Sequence, residues 1–507
     1  MIFIFLLDRG NRSIKWNEIL DIVIAYSLIF VKNVIIGAGP AGLSAAYNLA
    51  KHDITPIVIE KADHIGGLAK TLEFDYDGET YKTDTGPHRF FSLNPALYKM
   101  IEELLGTDWV VINRLTRQLI DGKYFNYPVD IVQAIRNVNP FVAIKMILDF
   151  LNATARKILV NPRLTTFEDF VVLNFGRRLA EFNMINYTEK IWGIPCTQIA
   201  ASWAAQRIKG MNAFDIVKKA MIKGGGPRSM IDSFYYPKKG IEEIYDKMAE
   251  FAASRGTSIE KSVKVTKILH DDRKITSIEY EQSGDVVNED VENLISSMPI
   301  TELVQVLDPE APSNVIKAAK SLGYRDQIYV FLIIDKPHIT KDTWLYFPTT
   351  PPTFGRAMEP KNWYPDMAPE KRSSLLVEYF VFEGDKMWIM DDNQLIKKTV
   401  QELEWLGFVK PQEFLKGWVM RISKAYPMWD LTYKTRLDVL KNYLKNFENL
   451  YCIGRNGRYF YNNQDHSIET GLLAAQSIID GKKYDLENIG MENTYFESGM
   501  LYRSGKA

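Results

Sequence analysis

Of the 507 residues only Cys196 and Cys452 are cysteine, and only six are histidine. Two cysteines so far apart exclude a disulfide framework and a four-thiolate zinc site, and they suit a reducing compartment, so a cytoplasmic location is expected. His52, His64, His88, His270, His338 and His466 show no HxxxH or HExxH spacing, which argues against a metal enzyme. Charge of one sign is lacking too: 62 Lys+Arg oppose 63 Asp+Glu, a net charge of −1. No global basic field draws nucleic acid, and an anionic ligand must be held by individually placed arginines. No stretch reaches the roughly 18 nearly uncharged residues of a spanning helix. Residues 1–30 carry two short apolar runs, Ile2 to Leu7 and one from Ile22 to Val31, interrupted by Asp8, Arg9, Arg12, Lys15, Glu18 and Asp21. That pattern fits neither a secretory signal nor a span, so 1–30 reads as an N-terminal extension and no stable membrane insertion is expected.

What is present is the balance of a globular protein, 46% hydrophobic and 25% charged, long enough for a large core and about three domains. The first clear unit is Val31 to Ile36, an apolar run that reads as a buried parallel strand. It enters Gly37-Ala-Gly39-Pro-Ala-Gly42, then an alanine-rich helical pattern from Leu43 to Ala50, then a second run, Ile57 to Ile59, ending at Glu60. This is the strand, glycine turn, helix and strand of a βαβ unit. Gly37 permits the tight turn, Gly39 lets backbone approach a pyrophosphate, and Gly42 lets helix and sheet pack closely. The phosphates then rest on the helix N-terminus, and Glu60 accepts from a ribose.

Farther along, Pro95 to about Ala220 reads as helical, with apolar residues at helical spacing over Ile131–Ile135 and Phe141–Leu151. Strand-like runs return at Ser262–Ile268, Ile275–Tyr280 and Leu294–Ser297, then at Gln327–Ile334 and Ser374–Phe382. Leu450–Ile453 reads as one more buried strand before Gly454, and a helix follows from about Ile468 to Asp480. The order implies an α/β fold with a discontinuous Rossmann-type domain over 31–96, 238–300 and 445–484. A mainly helical insert over 97–237, an antiparallel-sheet substrate domain over 301–444 and a tail over 485–507 complete it. Lys223 to Arg228, with its three glycines, reads as a loop and a candidate mobile lid.

After Glu60 comes Lys61-Ala-Asp-His-Ile-Gly66-Gly67-Leu-Ala-Lys-Thr71, a second glycine pair beyond the ribose acid. This extended pattern resembles the FAD-binding amine oxidase superfamily, which includes protoporphyrinogen oxidase and phytoene desaturases. Further segments resemble its UDP-galactopyranose mutase family: Gly86-Pro87-His88, Tyr187-Thr-Glu-Lys-Ile-Trp192-Gly, Trp203-Ala-Ala-Gln-Arg207, Pro237-Lys-Lys-Gly240, Phe354-Gly-Arg356, Gly454-Arg455 and Tyr461-Asn-Asn463-Gln464-Asp465-His-Ser467. The resemblance implies FAD held by Gly37, Gly39, Pro40, Ala41, Gly42, Glu60, Lys61, Gly67, Leu68, Gly86, His88, Val263, Gly454, Asn463, Gln464 and Asp465. It implies a nucleotide-sugar substrate bound by Tyr187, Trp192, Arg207, Arg356, Arg455 and Tyr461, with His88, Arg356 and Arg455 at the chemistry; Tyr346 joins the substrate set only for its nearness in sequence to Arg356. Arginine suits a diphosphate because its planar fork binds phosphate bidentately and keeps its charge.

The reaction so implied interconverts pyranose and furanose forms of a nucleotide sugar, UDP-galactose above all, and belongs to cell-surface polysaccharide synthesis. Reduced FAD, with NAD(P)H as candidate reductant, would join its N5 to the anomeric carbon as UDP leaves. The alternative is an oxidase or desaturase working by hydride transfer, whose apolar helices between Ile131 and Val160 would line a tunnel or dock on a membrane. A flavin-binding protein without catalysis is the third reading. Self-association into a homo-oligomer is left open.

Overall fold

The computed structural model describes residues 32–127, 131–160, 162–207 and 233–491. The readings made for residues 1–30, for the glycine loop 223–228 and for the chain beyond 491 lie outside the described residues.

The first strand, Asn33–Ile36, is buried along its whole length, with Val34 and Ile35 at 0% exposure. A strand covered on both faces favours apolar residues on each, which is why Val34 to Ile36 show no alternation, and the buried Asn33 is answered by a hydrogen bond from Asn293. It is the middle of a five-stranded parallel sheet in the spatial order Leu450–Cys452, Asn293–Ser296, Asn33–Ile36, Ile57–Ile59, Ser258–Glu260. The order reverses beside the first strand, and in such sheets ligands bind off the carboxyl ends of the strands at that reversal. The strands come from the beginning, middle and end of the chain, so the nucleotide-binding α/β unit is discontinuous, as expected.

Helix Pro40–Lys51 lies against this sheet and against helix Gln464–Ile479. The two helices touch backbone to backbone at Gly471, where a Cβ would stand 2.0 Å from the Ala41 carbonyl oxygen. Any side chain there would push the helices apart, so these two helices, far apart in sequence, are locked together by a glycine.

A second sheet of seven strands runs Phe414–Pro427, Tyr324–Ile334, Ser373–Val381, Arg356–Met358, Trp344–Tyr346, Thr116–Ile120, Lys123–Asn126. Its first five strands pair antiparallel. All eleven residues of Tyr324–Ile334 are buried. Tyr329, Phe331 and Ile333 point into the core shared with the α/β unit, while Ile328, Val330 and Leu332 join a separate core that also contains Leu395, Val400 and Leu403 of helix Asp392–Trp405. With both faces covered, its second half, Ile328 to Ile334, reads as an unbroken apolar run despite its period of two.

The segment 97–237 is less uniformly helical than its composition suggests. Helices run from Ile131 to Arg207, including the long Pro140–Leu159, but strands Trp109–Asn113, Thr116–Ile120, Lys123–Asn126 and Ser233–Pro237 flank them. Two of these extend the seven-stranded sheet. Their hairpin turns on Asp121-Gly122, both at positive φ, which matches the right-handed twist of the paired strands.

Candidate functional site

The glycine turn forms a slot with backbone walls. Gly37 has φ +98°, and a Cβ there would meet Ser297 Oγ at 2.1 Å; one on Gly42 would meet the Gly37 carbonyl oxygen at 1.8 Å. Gly39 faces Gly67, where a Cβ would stand 3.1 Å from Gly39 Cα. The second glycine pair thus packs backbone to backbone against the first turn, a closeness that side chains at either position would prevent. Both glycines stand at the N-terminus of helix Pro40–Lys51, where free N–H groups and the helix dipole favour an anion. Glu60 holds the turn in shape: its two carboxylate oxygens accept from Ala38 N (2.7 Å) and Ala62 N (2.8 Å), each keeping capacity for a ribose hydroxyl. Val263 N donates to the Glu60 carbonyl at 2.9 Å, fixing the far end of this groove. Pro40 and Ala41 open the helix, and Lys61 lies exposed just beyond Glu60. Gly454 closes the fourth side, its Cβ position 3.1 Å from the Ala41 methyl. A diphosphate joined to a ribose, as in FAD, fits this slot and its acid.

A cavity continues from the slot. It is lined by Leu68, the Thr85–Arg89 loop, Gln327, Tyr329, Trp344, Tyr346, Arg356, Ile422, Ala425, Tyr426, Arg455, Tyr461 and Asn463. Arg356 begins strand Arg356–Met358 and Arg455 lies in the short helix Gly454–Gly457 just after strand Leu450–Cys452, so two sheets deliver one guanidinium each to the same space. Their environments differ. Arg356 forms a bidentate pair with Glu378, Nε to Oε1 at 2.7 Å and Nη2 to Oε2 at 2.5 Å. Burial opposes its charge, but Glu378 outweighs burial and raises its pKa well above the ordinary value. Arg455 donates to the carbonyls of Ala425 (3.0 Å) and Asn462 (2.7 Å) and lies about 5 Å from the Tyr426 and Tyr461 rings. No carboxylate among the described residues pairs with it. Arg455 thus brings to the cavity a charge that none of the described carboxylates pairs with.

His88 faces these two arginines. Burial, together with the Arg455 and Arg356 charges, pushes its imidazole down to about 4, so the ring is neutral near pH 7. Its Nε2–H donates to the Thr85 carbonyl at 2.9 Å. Gly86 takes φ +106°, a conformation that favours glycine, and its Cβ position lies 3.4 Å from Tyr329 Oη and 3.8 Å from Arg356 Nη2, so the loop runs alongside the arginine wall. The last helix, Gln464–Ile479, presents its N-cap residue Asn463 to the cavity. Gln464 is used differently: its Nε2 donates to the Arg89 carbonyl and its Oε1 accepts from Tyr245 Oη. Asp465 is buried in the first turn, close enough to the helix end to answer part of the dipole.

Other expected contacts fall outside the cavity wall. Trp192 is 2% exposed and packs edge-on against Trp203 at 4.8 Å in the main core, so it offers no open face to a base. Tyr187 stands behind Tyr346, edge-on at 5.1 Å, and burial raises its phenol well above the ordinary range. Tyr346 and Tyr461 do line the cavity. Arg207 ends helix Ala201–Arg207, and its side chain is not among those described. Residues that motif reading missed are Glu378, Gln327, Tyr329 and Tyr426. Tyr329 Oη donates to Gln327 Oε1 at 2.6 Å and Gln327 Nε2 donates to Glu378 Oε2 at 3.2 Å, a chain that braces the carboxylate under Arg356. One signal was available: Glu378 is the sole charge in the otherwise uncharged strand Ser373–Val381.

Residues 40–479 match the model of one protein family, described as flavin containing amine oxidoreductase. The chain belongs to that family. The flavin containing amine oxidoreductases are flavoenzymes, and membership implies FAD for the slot described above. Among curated relatives, a probable UDP-galactopyranose mutase of Klebsiella pneumoniae is 28% identical over 34% of this chain and 44% of its own length. A 1-hydroxycarotenoid 3,4-desaturase of Flavobacterium is 26% identical over 57% of this chain and 61% of its own length. The chain therefore spans less than two thirds of either. An L-amino acid oxidase of Bothriechis schlegelii is 21% identical across 88% of this chain and 89% of its own. Among solved structures, a reduced UDP-galactopyranose mutase superposes with a TM-score of 0.79 at 23% identity, covering 92% of this chain and 99% of that one. A putative protoporphyrinogen oxidase from Exiguobacterium gives 0.68 at 17%, covering 89% and 99%. These likenesses show the shared fold of this flavin containing amine oxidoreductase.

Proposed function

We propose that the protein is a flavin-dependent isomerase that interconverts pyranose and furanose rings of a nucleotide sugar, with UDP-galactose as the favoured substrate. The observation that carries this reading is Arg455, a cation with no carboxylate partner among the described residues, on the same cavity as Arg356 and the Gly86–His88 loop. A phosphate there would gain a charge-assisted bond worth roughly 1.5–3 kcal/mol.

FAD, when bound, supplies an electron-rich ring that acts at a sugar carbon; its prior reduction by NAD(P)H belongs to the proposal. The chain's own residues do the rest. Arg455 takes the leaving diphosphate, and Arg356, held rigid by Glu378, presents its remaining guanidinium edge as a second contact. Tyr346 and Tyr461 offer hydroxyl groups to substrate oxygens. His88, neutral near pH 7, adds no charge to the cavity, and its Nε2–H stays with Thr85.

Hydride-transferring oxidation of an amine is the second reading. Tyr426 and Tyr461 favour it, lying 5.4 Å apart with planes 22° from parallel, as a pair of aromatic walls. Charge counts against it. An ammonium substrate would meet Arg455 and Arg356 with Glu378 as the one acid bonded to either, and like charges at about 4 Å repel by roughly 4 kcal/mol near a protein surface.

Titrating UDP into the FAD-loaded protein while following the flavin spectrum tests the proposal. It expects a saturable change that is lost in Arg455→Ala with FAD still bound. An unperturbed spectrum, or equal binding by the variant, would overturn it.

A further inference from the structure

Helix Pro140–Leu159 is apolar on two opposite faces. Inward, Ala143, Met146 and Ala153 are buried against helices Phe167–Phe175 and Arg177–Ala180. That face is locked: a Cβ on Gly176 would stand 2.7 Å from the Asp149 carbonyl carbon, and Asp149 pairs with Arg178 at 2.8 Å. Outward, Ile144, Ile147, Leu148, Leu151 and Ile158 recur at helical spacing, and they are 55%, 44%, 58%, 57% and 75% exposed. Leu159 follows at 82%. Scattered exposed leucines need no explanation, but a contiguous stripe from Ile144 to Leu159 of a 20-residue helix marks an interaction surface.

The charges beside the stripe narrow its occupant. Lys145, Asn152 and Arg156 form a row along one edge, offset by one residue from the stripe at 3.6 residues per turn. From 131 to 166 the chain carries Arg136, Lys145, Arg156, Lys157 and Arg163 against one acid, Asp149, which is already paired. This part is strongly positive in a chain of net charge −1. Lys145 and Arg156 make no ion pair among the described residues. A second copy docked on this face would bring no unpaired carboxylate from its own residues 131–166 to answer the basic edge, since Asp149 is taken by Arg178. No described helix is long and apolar enough to cross a membrane.

We infer that helix Pro140–Leu159 is an in-plane docking surface for an anionic phospholipid bilayer, its aliphatic stripe entering the headgroup boundary and its basic edge meeting the lipid phosphates. The inference is independent of the reaction assigned to the cavity. A helix lying in the interface binds through buried apolar area plus attraction of its basic face, and each basic residue contributes about fivefold in affinity.

Co-sedimentation of the full-length protein with vesicles tests it, comparing phosphatidylcholine alone with an equimolar mixture of phosphatidylcholine and phosphatidylglycerol. The protein is expected to pellet with the anionic vesicles and to be released by salt. Lys145→Gln combined with Arg156→Gln should weaken binding about 25-fold. Leu148→Gln combined with Leu151→Gln should weaken it at least tenfold, roughly, with the melting temperature unchanged because both side chains face outward. Absence from the anionic pellet, or equal binding by both double variants, would overturn the inference. So would a concentration-dependent dimer, seen by sedimentation velocity and lost in the leucine variant, without vesicle binding.

Discussion

Replacing Glu378 by Gln should change stability and ligand affinity in opposite directions. Glu378 is fully buried and Arg356 is 15% exposed, and the pair is bidentate at 2.5 and 2.7 Å. Removing one member of such a pair strands a buried charge, which typically costs about 3–5 kcal/mol. Glutamine keeps one accepting oxygen for Arg356, so a loss of roughly 2–3 kcal/mol is expected in urea unfolding. The cavity meanwhile gains a full positive charge. For a phosphate roughly 7 Å from the lost carboxylate at an effective dielectric of about 20, the gain is near 2 kcal/mol, or about 30-fold tighter UDP binding. Arg356→Met should destabilise as well, by stranding Glu378, and the double variant Arg356→Met with Glu378→Gln should recover most of that loss because neither charge remains. Unchanged stability together with unchanged UDP affinity in Glu378→Gln would refute the electrostatic reading of the cavity.

Other expectations concern the slot, the loop and pH. Gly42→Ala places a Cβ 1.8 Å from the Gly37 carbonyl oxygen, so it should yield protein that does not retain FAD, visible as lost absorbance after gel filtration. Lys190 is buried with its ammonium donating to the carbonyls of Phe347, Thr349 and Pro352 at 2.7–2.8 Å, and burial pushes its pKa down to about 7. Lys190→Met should lower the melting temperature, by about 3 kcal/mol of stability, through three unanswered carbonyls ahead of Arg356. The unfolded chain holds the Lys190 proton more tightly than the folded one, so this residue makes wild type gain stability as pH rises from about 7 towards 10.5, a trend absent in the variant. For His88 the folded ring refuses a proton that the unfolded chain accepts between 6.5 and about 4. Its contribution to stability is therefore lost as pH falls through that window, by a few kcal/mol at most, and the slope should flatten in His88→Gln.

The dinucleotide slot was legible in the sequence because its demands are local. Strand Ile57–Ile59 and the turn between Gly37 and Gly42 sit where spacing alone puts them, since each glycine answers a steric requirement of its own neighbours. The last helix begins at Gln464, before the Ile468 that apolar spacing suggested, because its first turn is polar and buried. Strands Thr116–Ile120 and Lys123–Asn126 were hidden inside a helical reading although Asp121-Gly122 is a strong hairpin signal. Trp192 was read as a ligand contact, yet tertiary packing against Trp203 puts it in the core, which motif spacing does not reveal. Glu378 lay unseen for the same reason: its meaning depends on Arg356, paired to it across two strands rather than near it in sequence.

The most direct test of the central claim is to incubate dithionite-reduced, FAD-loaded protein with UDP-galactofuranose and separate the nucleotide sugars by chromatography. The account predicts UDP-galactopyranose formed over many turnovers without stoichiometric use of reductant, and its near loss in Arg455→Ala. Unchanged furanose with flavin fully bound and reduced, alongside oxygen uptake when an amine is supplied to the oxidised protein, would contradict it.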